Sequence, residues 1–288
     1  MQLSLFHSLV NPILCYASEM WGYAEAKKVE VVQLKFLKMI LKVRKNTPSC
    51  IVYRECQVYP LYLSRLFRLI KYWLKIIDLN ENDPIKILYK TTLMINGITA
   101  SINTPDCLGH QIRKILYLNG FGYIWENQDF GVNKHFFSTF KKRLIDSFWQ
   151  SNNTDIHSLS NNRLYRHLTV ESCSYIKTFS NDFIRIAITK LRLGSHHLNI
   201  ERGRWYNTLL ADRKCTICND IEDELHFVVI CTQFHDLRKK YLPKSLYTNP
   251  SMYKFLKFIN SNDENQIKKL GLYLHYAFRR YTFEEVLR

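Results

Sequence analysis

Cys215-Thr216-Ile217-Cys218 opens a stretch that runs through His226 to Cys231, with the spacing Cys-x2-Cys-x7-His-x4-Cys. Three thiols and one imidazole fall within 17 residues. Zn²⁺ takes sulfur and nitrogen ligands, four of them in structural sites, so Cys215, Cys218, His226 and Cys231 suit a closed tetrahedral zinc site. The Cys-x2-Cys half forms a knuckle that converges two sulfurs, and His-x4-Cys supplies two more ligands from a helical turn or bent loop. The polar segment Asn219–Leu225 is long enough to turn the chain back between them. Two other readings stay open. The four residues are unrelated, since a free Cys packs as a small apolar side chain; or His235 replaces His226 or Cys231. With four protein ligands the zinc is structural, because no position is left for a water nucleophile.

Around this stretch lies a chain of 288 residues, 47% hydrophobic and 14% aromatic, which is enough for a core and excludes a disordered protein. Lys and Arg outnumber Asp and Glu by 41 to 25, a formal charge of +16. That excess points to a polyanionic partner, nucleic acid first and an anionic membrane surface second. Basicity without such a partner is the alternative. Cys15, Cys50, Cys56, Cys107 and Cys173 are scattered with no framework spacing. Together with a zinc site they imply a reducing, intracellular compartment, nuclear or cytoplasmic. The N-terminus lacks a positive n-region, and Asn11-Pro12 interrupts its apolar stretch, so no signal peptide is expected. No run of 18 apolar residues occurs, so no membrane span is expected either.

The periodicity is helical almost throughout, which gives a mainly α fold: a multi-helix array with a small Cys-Cys-His-Cys knuckle near the C-terminus. Residues 2–17 read as one helix or two pieces broken near Pro12. Over 27–43, Val29, Val32, Phe36, Ile40 and Val43 share one face, and Lys35, Lys38 and Lys42 share another. Over 64–78, with Ser64 as N-cap, Leu66, Leu69, Ile70, Trp73, Leu74 and Ile77 form an apolar stripe. Arg65 and Arg68 begin a basic stripe there that continues through Lys71 and Lys75. Each basic stripe is a solvated face or a phosphate-facing one. Further helices are expected over 84–94, 107–118, 133–150, 181–193, 232–241, 251–260 and 264–287, with a small hairpin around the zinc. Polar clusters near 100 and 155 mark internal breaks. The organisation expected is 1–58, then 59–210 with those two breaks, a knuckle over 211–235, and C-terminal helices over 236–288.

Four stretches carry a resemblance. They are Leu9-Val-Asn-Pro-Ile-Leu-Cys-Tyr16-Ala-Ser-Glu19-Met-Trp21-Gly22; Phe36 to Pro48 with Tyr53 and Glu55; Leu191-Arg192 through Trp205; and the Cys/Cys/His/Cys cluster preceded by Asp223-Glu224. In this order they resemble the C-terminal portion of the reverse-transcriptase protein of non-LTR (LINE-type, jockey-like) retrotransposons, from a thumb-like remnant at 1–58 to the zinc knuckle. Polymerase chemistry needs an aspartate pair and a third carboxylate on two metal ions, and this sequence contains no Asp-Asp. The resemblance therefore implies a portion without the catalytic palm, with no polymerase or endonuclease site and no catalytic residue of its own. It implies RNA or DNA as partner, and neither a small-molecule substrate nor a membrane.

The family's knuckle and the segment before it help to hold template or target. By that resemblance, Arg192, His196, Arg202, Arg204, Arg213 and Lys214 are the candidate contacts, with Lys35, Lys38, Lys42, Arg65 and Arg68 on the N-terminal helices. Alternatives remain at several positions. Arg204 pairs with Glu201 three residues earlier, Trp205 is core and not a stacking platform, and His196 is a ligand, a contact or a core hydrogen-bonder. Asp220, Glu222, Asp223 and Glu224 would repel phosphates, so the knuckle loop itself is expected to face away from nucleic acid. A zinc-stapled protein-interaction domain with incidental basicity is the competing function.

Overall fold

A computed structural model describes residues 2–98, 108–128, 134–169, 175–178 and 182–286. Among these the protein is mainly helical and has no strand. Where the sequence suggests a hairpin there is a single antiparallel bridge, Lys214 to Ile221. The break expected near 100 falls at 99–107, outside the described residues. The chain divides into two compact units, Met1–Gln33 with Tyr59–Ser151, and Leu34–Val58 with Asn152–Arg288. Each unit draws on two separate stretches of chain, whereas the sequence reading places the segments 1–58, 59–210, 211–235 and 236–288 one after another. The knuckle segment is part of the second unit.

In the first unit the Leu61–Asp78 helix is the organising element. Leu63, Phe67, Leu69, Ile70, Trp73 and Leu74 bury one side of it against Ile112 and Leu116 and against Phe136, Phe140 and Leu144. Trp73 stacks on Trp125 at 5.9 Å and donates its indole N–H to the Tyr89 hydroxyl at 2.9 Å, so its polar tip is satisfied inside the core. The helix begins three residues before Ser64, directly after Pro60. Proline has no capping side chain, and the caps come from another helix: the Leu61 N–H donates to Glu30 Oε2 at 2.9 Å and to Gln33 Oε1 at 3.1 Å. These acceptors satisfy an N–H that the first helical turn leaves unpaired.

Gly22 illustrates how closely this unit is assembled. A Cβ there would stand 2.4 Å from Ser18 O and 2.9 Å from Arg65 O, both backbone atoms with no rotamer to escape into. Gly22→Ala should therefore destabilise the unit by about 1–3 kcal/mol, the usual range for overpacking. A thermal melt tests this, and a variant that melts with the wild type contradicts it.

In the second unit the Asp182–Arg192 helix lies along the Glu264–Val286 helix. A Cβ on Gly271 would sit 2.4 Å from Ile184 Cγ2, so the absence of one permits this approach. The unit's share of the Lys27–Leu41 helix buries Leu37, Ile40 and Leu41. The face is rotated from the expected one: Val32 is 42% exposed. The valine periodicity misleads here because Gln33 in the first unit is buried, held by the Leu61 N–H and by its own donation to Tyr59 O. The helix expected to stop at 150 runs from Lys134 to Ser158. Its polar last turns are not a linker, because Asn152 and Ile156 are buried and Asn152 Nδ2 donates to Cys50 O at 3.1 Å.

Glu55 sits at the centre of this second core with a fully buried side chain. Arg192 Nε donates to Glu55 Oε1 at 2.6 Å and Arg192 Nη2 to Oε2 at 3.2 Å, a two-pronged ion pair. The hydroxyls of Tyr175 and Tyr165 donate to the same carboxylate at 2.6 and 2.9 Å. Burial acts to raise the Glu55 pKa, but the Arg192 charge and these hydrogen bonds outweigh it and hold the carboxyl below its ordinary range.

Candidate metal centre

The knuckle is built by backbone hydrogen bonds that close a turn around the first two thiols. Cys215 N donates to Asp220 O at 2.7 Å, Glu222 N to Arg213 O at 2.9 Å, and Asn219 N to Cys215 O at 2.9 Å. Asn219 takes a left-handed φ of 58°, which asparagine tolerates better than most residues. The other half is the single turn His226–Ile230, whose first N–H is capped by Asp223 Oδ1 at 2.7 Å. Cys231 N donates back to His226 O at 2.7 Å. Beneath it, Phe227 stacks on Phe278 at 4.9 Å and meets Phe234 edge-on at 4.8 Å, while the Tyr273 hydroxyl donates to Phe227 O. The knuckle is thereby seated on the last helix.

This scaffold brings Cys215, Cys218, His226 and Cys231 together, with all four ligand atoms within 4.8 Å of one another. Cys231 Sγ is 3.9 Å from Cys215 Sγ and 3.9 Å from Cys218 Sγ. The group can hold a metal ion, and two further observations fit one. Among the described residues neither ring nitrogen of His226 has a hydrogen-bond partner, although both are buried. A buried imidazole normally satisfies its nitrogens, and coordination of a metal would account for one of these two. Arg238, only 2% exposed, donates through Nη2 to Cys231 O and has no carboxylate partner among the described residues. Three thiolates with a divalent cation would sum to one negative charge, which this guanidinium could offset.

Without a cation the thiols compete. Burial raises Cys231, and the neighbouring Cys215 and Cys218 add to the rise. At Cys218 burial acts upward, but hydrogen bonds from the Thr232 side chain and backbone win and lower its pKa. His235 stays outside the cluster, exposed, with its ring edge-on to Tyr247. Arg238 and Thr232 carry no spacing signal in the sequence; only the folded geometry identifies them.

The candidate nucleic-acid residues divide sharply. Arg192 is buried on Glu55, and Arg65, 2% exposed, is paired with Glu30 Oε1 at 2.7 Å. Both are core ion pairs and offer no surface to phosphate, because each guanidinium found a carboxylate on another helix. Arg204 pairs with Glu201 at 2.5 Å, and Arg213 donates to the Thr208 and Ile200 carbonyls. His196 is buried, with Nε2 3.2 Å from Glu224 Oε1, as a core hydrogen-bonding group. Arg68 reaches Cys15 O, and Lys38 reaches Lys45 O. Arg202 is half-buried, with its guanidinium over the Tyr206 ring, while Lys35, Lys42 and Lys214 are exposed.

The acidic loop is also partly internal. Glu222 accepts from Asn199 N at 2.8 Å and from the Tyr281 hydroxyl at 2.9 Å, and so caps the Asn199–Trp205 helix. Beside the knuckle a cavity of about 890 Å³ is lined by His197, Arg202, Trp205, Tyr206 and Arg213, among others. Trp205 is 41% exposed and not core. The Arg44 guanidinium lies 4.0 Å from its ring centroid. No described helix is long and apolar enough to cross a membrane. Compared with known protein families, curated proteins and solved structures, the chain matches none of them.

Proposed function

We propose that this chain binds RNA or DNA, as the portion of a non-LTR retroelement reverse-transcriptase protein that lies beyond the catalytic palm, and that its Cys3His cluster holds one structural zinc. For zinc, a tetrahedral site with Zn–S near 2.3 Å places sulfurs about 3.8 Å apart, close to the 3.9 Å separations of Cys231 from its two partners. The metal fixes a short polar segment that has little apolar surface of its own to bury.

For nucleic acid, one observation carries the reading: the +16 charge is not cancelled at the surface. Among the described residues, buried Glu55, Glu201, Glu222 and Glu224 are matched in number by buried Arg65, Arg185, Arg192 and Arg238, so burial leaves the basic excess in place, and Lys35, Lys42, Lys71, Lys75 and Lys214 are exposed. A surface with this imbalance attracts polyanions. The exposed Trp205 and Tyr206 rings beside Arg202 add the aromatic component that unpaired bases stack on. The full chain should shift the anisotropy of labelled single-stranded RNA or DNA at about 50 mM salt. Absence of binding there removes the nucleic-acid reading. The genomic sequence upstream of the Met1 codon tests the retroelement origin, for which an in-frame or frameshifted Tyr-x-Asp-Asp palm is expected.

A further inference from the structure

The arginine-rich run before the knuckle is largely engaged within the protein, which leaves open where a phosphate backbone would lie. A second concave surface, formed after the knuckle, answers this. Three short segments converge there: His235–Tyr241, Met252–Ile259 and the start of Glu264–Val286. They enclose a cavity of about 1000 Å³ lined by Lys239, Lys240, Lys254, Lys257 and Lys269. Among the described lining residues Asp263 is the one carboxylate, and Asp263 Oδ1 already accepts from Asn265 N at 2.9 Å. None of the five ammonium groups is paired with a carboxylate among the described residues.

Five like charges around one recess repel one another, and an anion with several charges is the ligand that relieves this. Lys240 lies over the Tyr241 ring at 5.2 Å, and Tyr241 and Phe258 both line the recess, so aromatic surface accompanies the charge. A flexible single strand, with a phosphate at every nucleotide and bases that stack on rings, matches this combination. A bilayer presents a broad plane of headgroups, which a recess contacts poorly.

We infer that the Lys239–Lys269 recess is where the chain grips single-stranded nucleic acid. This rests on the nucleic-acid reading proposed above and assigns the grip to a site other than the Arg192–Lys214 run. The sequence hides it because the five lysines are spread over three helices, and the short run Arg238-Lys239-Lys240 gives no sign of the other three.

The test uses the full chain and a labelled single-stranded RNA oligonucleotide. Lys239→Glu/Lys257→Glu/Lys269→Glu should weaken binding at least about tenfold. It should also make the salt dependence shallower by about 2 in log–log slope, at about 0.7 for each phosphate no longer neutralised. Lys28→Glu/Lys114→Glu/Lys142→Glu makes the same change in net charge at exposed positions elsewhere, and should weaken binding by less than about threefold. The corresponding triple Lys→Gln variant of the recess guards against misfolding from charge reversal and should show the same loss with an unchanged melt. If the wild type binds RNA and both recess variants bind equally well, the recess is overturned while the nucleic-acid function stands. If both triple Glu variants lose affinity alike, net charge and not the recess is responsible, and the assignment fails. If the wild type binds neither single-stranded RNA nor the single-stranded DNA of the same sequence, both fall together. Loss of binding to phosphatidylserine vesicles with RNA affinity intact would overturn the assignment in favour of a membrane.

Discussion

Combining Cys215→Ser with Cys218→Ser should abolish metal binding and destabilise the second unit. The wild-type chain is expected to carry about one zinc per molecule, and the double variant close to none, measured by elemental analysis of the purified protein. Removing two thiolates leaves Cys231 and His226, too few for a closed structural site. Structural zinc contributes about 10–16 kcal/mol in isolated zinc-finger peptides. The effect here should be smaller, because the knuckle also rests on Phe227, Phe234, Tyr273 and Phe278 through apolar packing. The observable is a lower melting temperature that added zinc no longer raises. Unchanged zinc content in the double variant would sink the assignment, since both sulfurs belong to the four-atom group.

Glu55→Ala should be the most damaging single substitution away from the metal. It leaves the Arg192 guanidinium buried without its counter-charge and strips acceptors from Tyr165 and Tyr175. Breaking a buried pair from one side costs about 3–5 kcal/mol, because the remaining charge stays desolvated. For a unit of this size that lowers the melting temperature by on the order of 10 °C. The same carboxylate gives a pH signature. Its folded pKa lies below the unfolded value, so its contribution is fully present above the unfolded carboxyl pKa of about 4.3 and is lost as pH falls through the lower folded value. Glu55→Gln cannot titrate, so the gap between wild type and this variant should be constant above about pH 5 and narrow in more acid solution. A gap that stays the same down to pH 3 contradicts this account of Glu55, as does an alanine variant that melts with the wild type.

Glu55 also shows where the sequence stops being informative. The helices are legible because apolar residues recur at the helical period, as in Leu69, Ile70, Trp73 and Leu74, all of which are buried. The Cys3His group is legible because its four residues are close in sequence. Arg65 and Arg192, by contrast, look like members of basic stripes. Their partners Glu30 and Glu55 are 35 and 137 residues away, and pairing over such separations leaves no periodic trace. Buried Gln33 hides the true inner face of the first long helix in the same way. The acidic knuckle loop reads as a repulsive surface, yet Glu222 and Glu224 point inward to Asn199, Tyr281 and His196. Local composition carries no sign that each unit draws on two separate stretches of chain.

The measurement that most directly tests the proposed function is the salt dependence of binding to single-stranded RNA by the full wild-type chain, from about 50 to 200 mM monovalent salt. If three or more lysines and arginines neutralise phosphates, log K against log salt should fall with a slope of about −2 or steeper. A slope near zero, or no binding at the low-salt end, would contradict the account and leave a helical protein with a Cys3His cluster whose basic surface serves some other purpose.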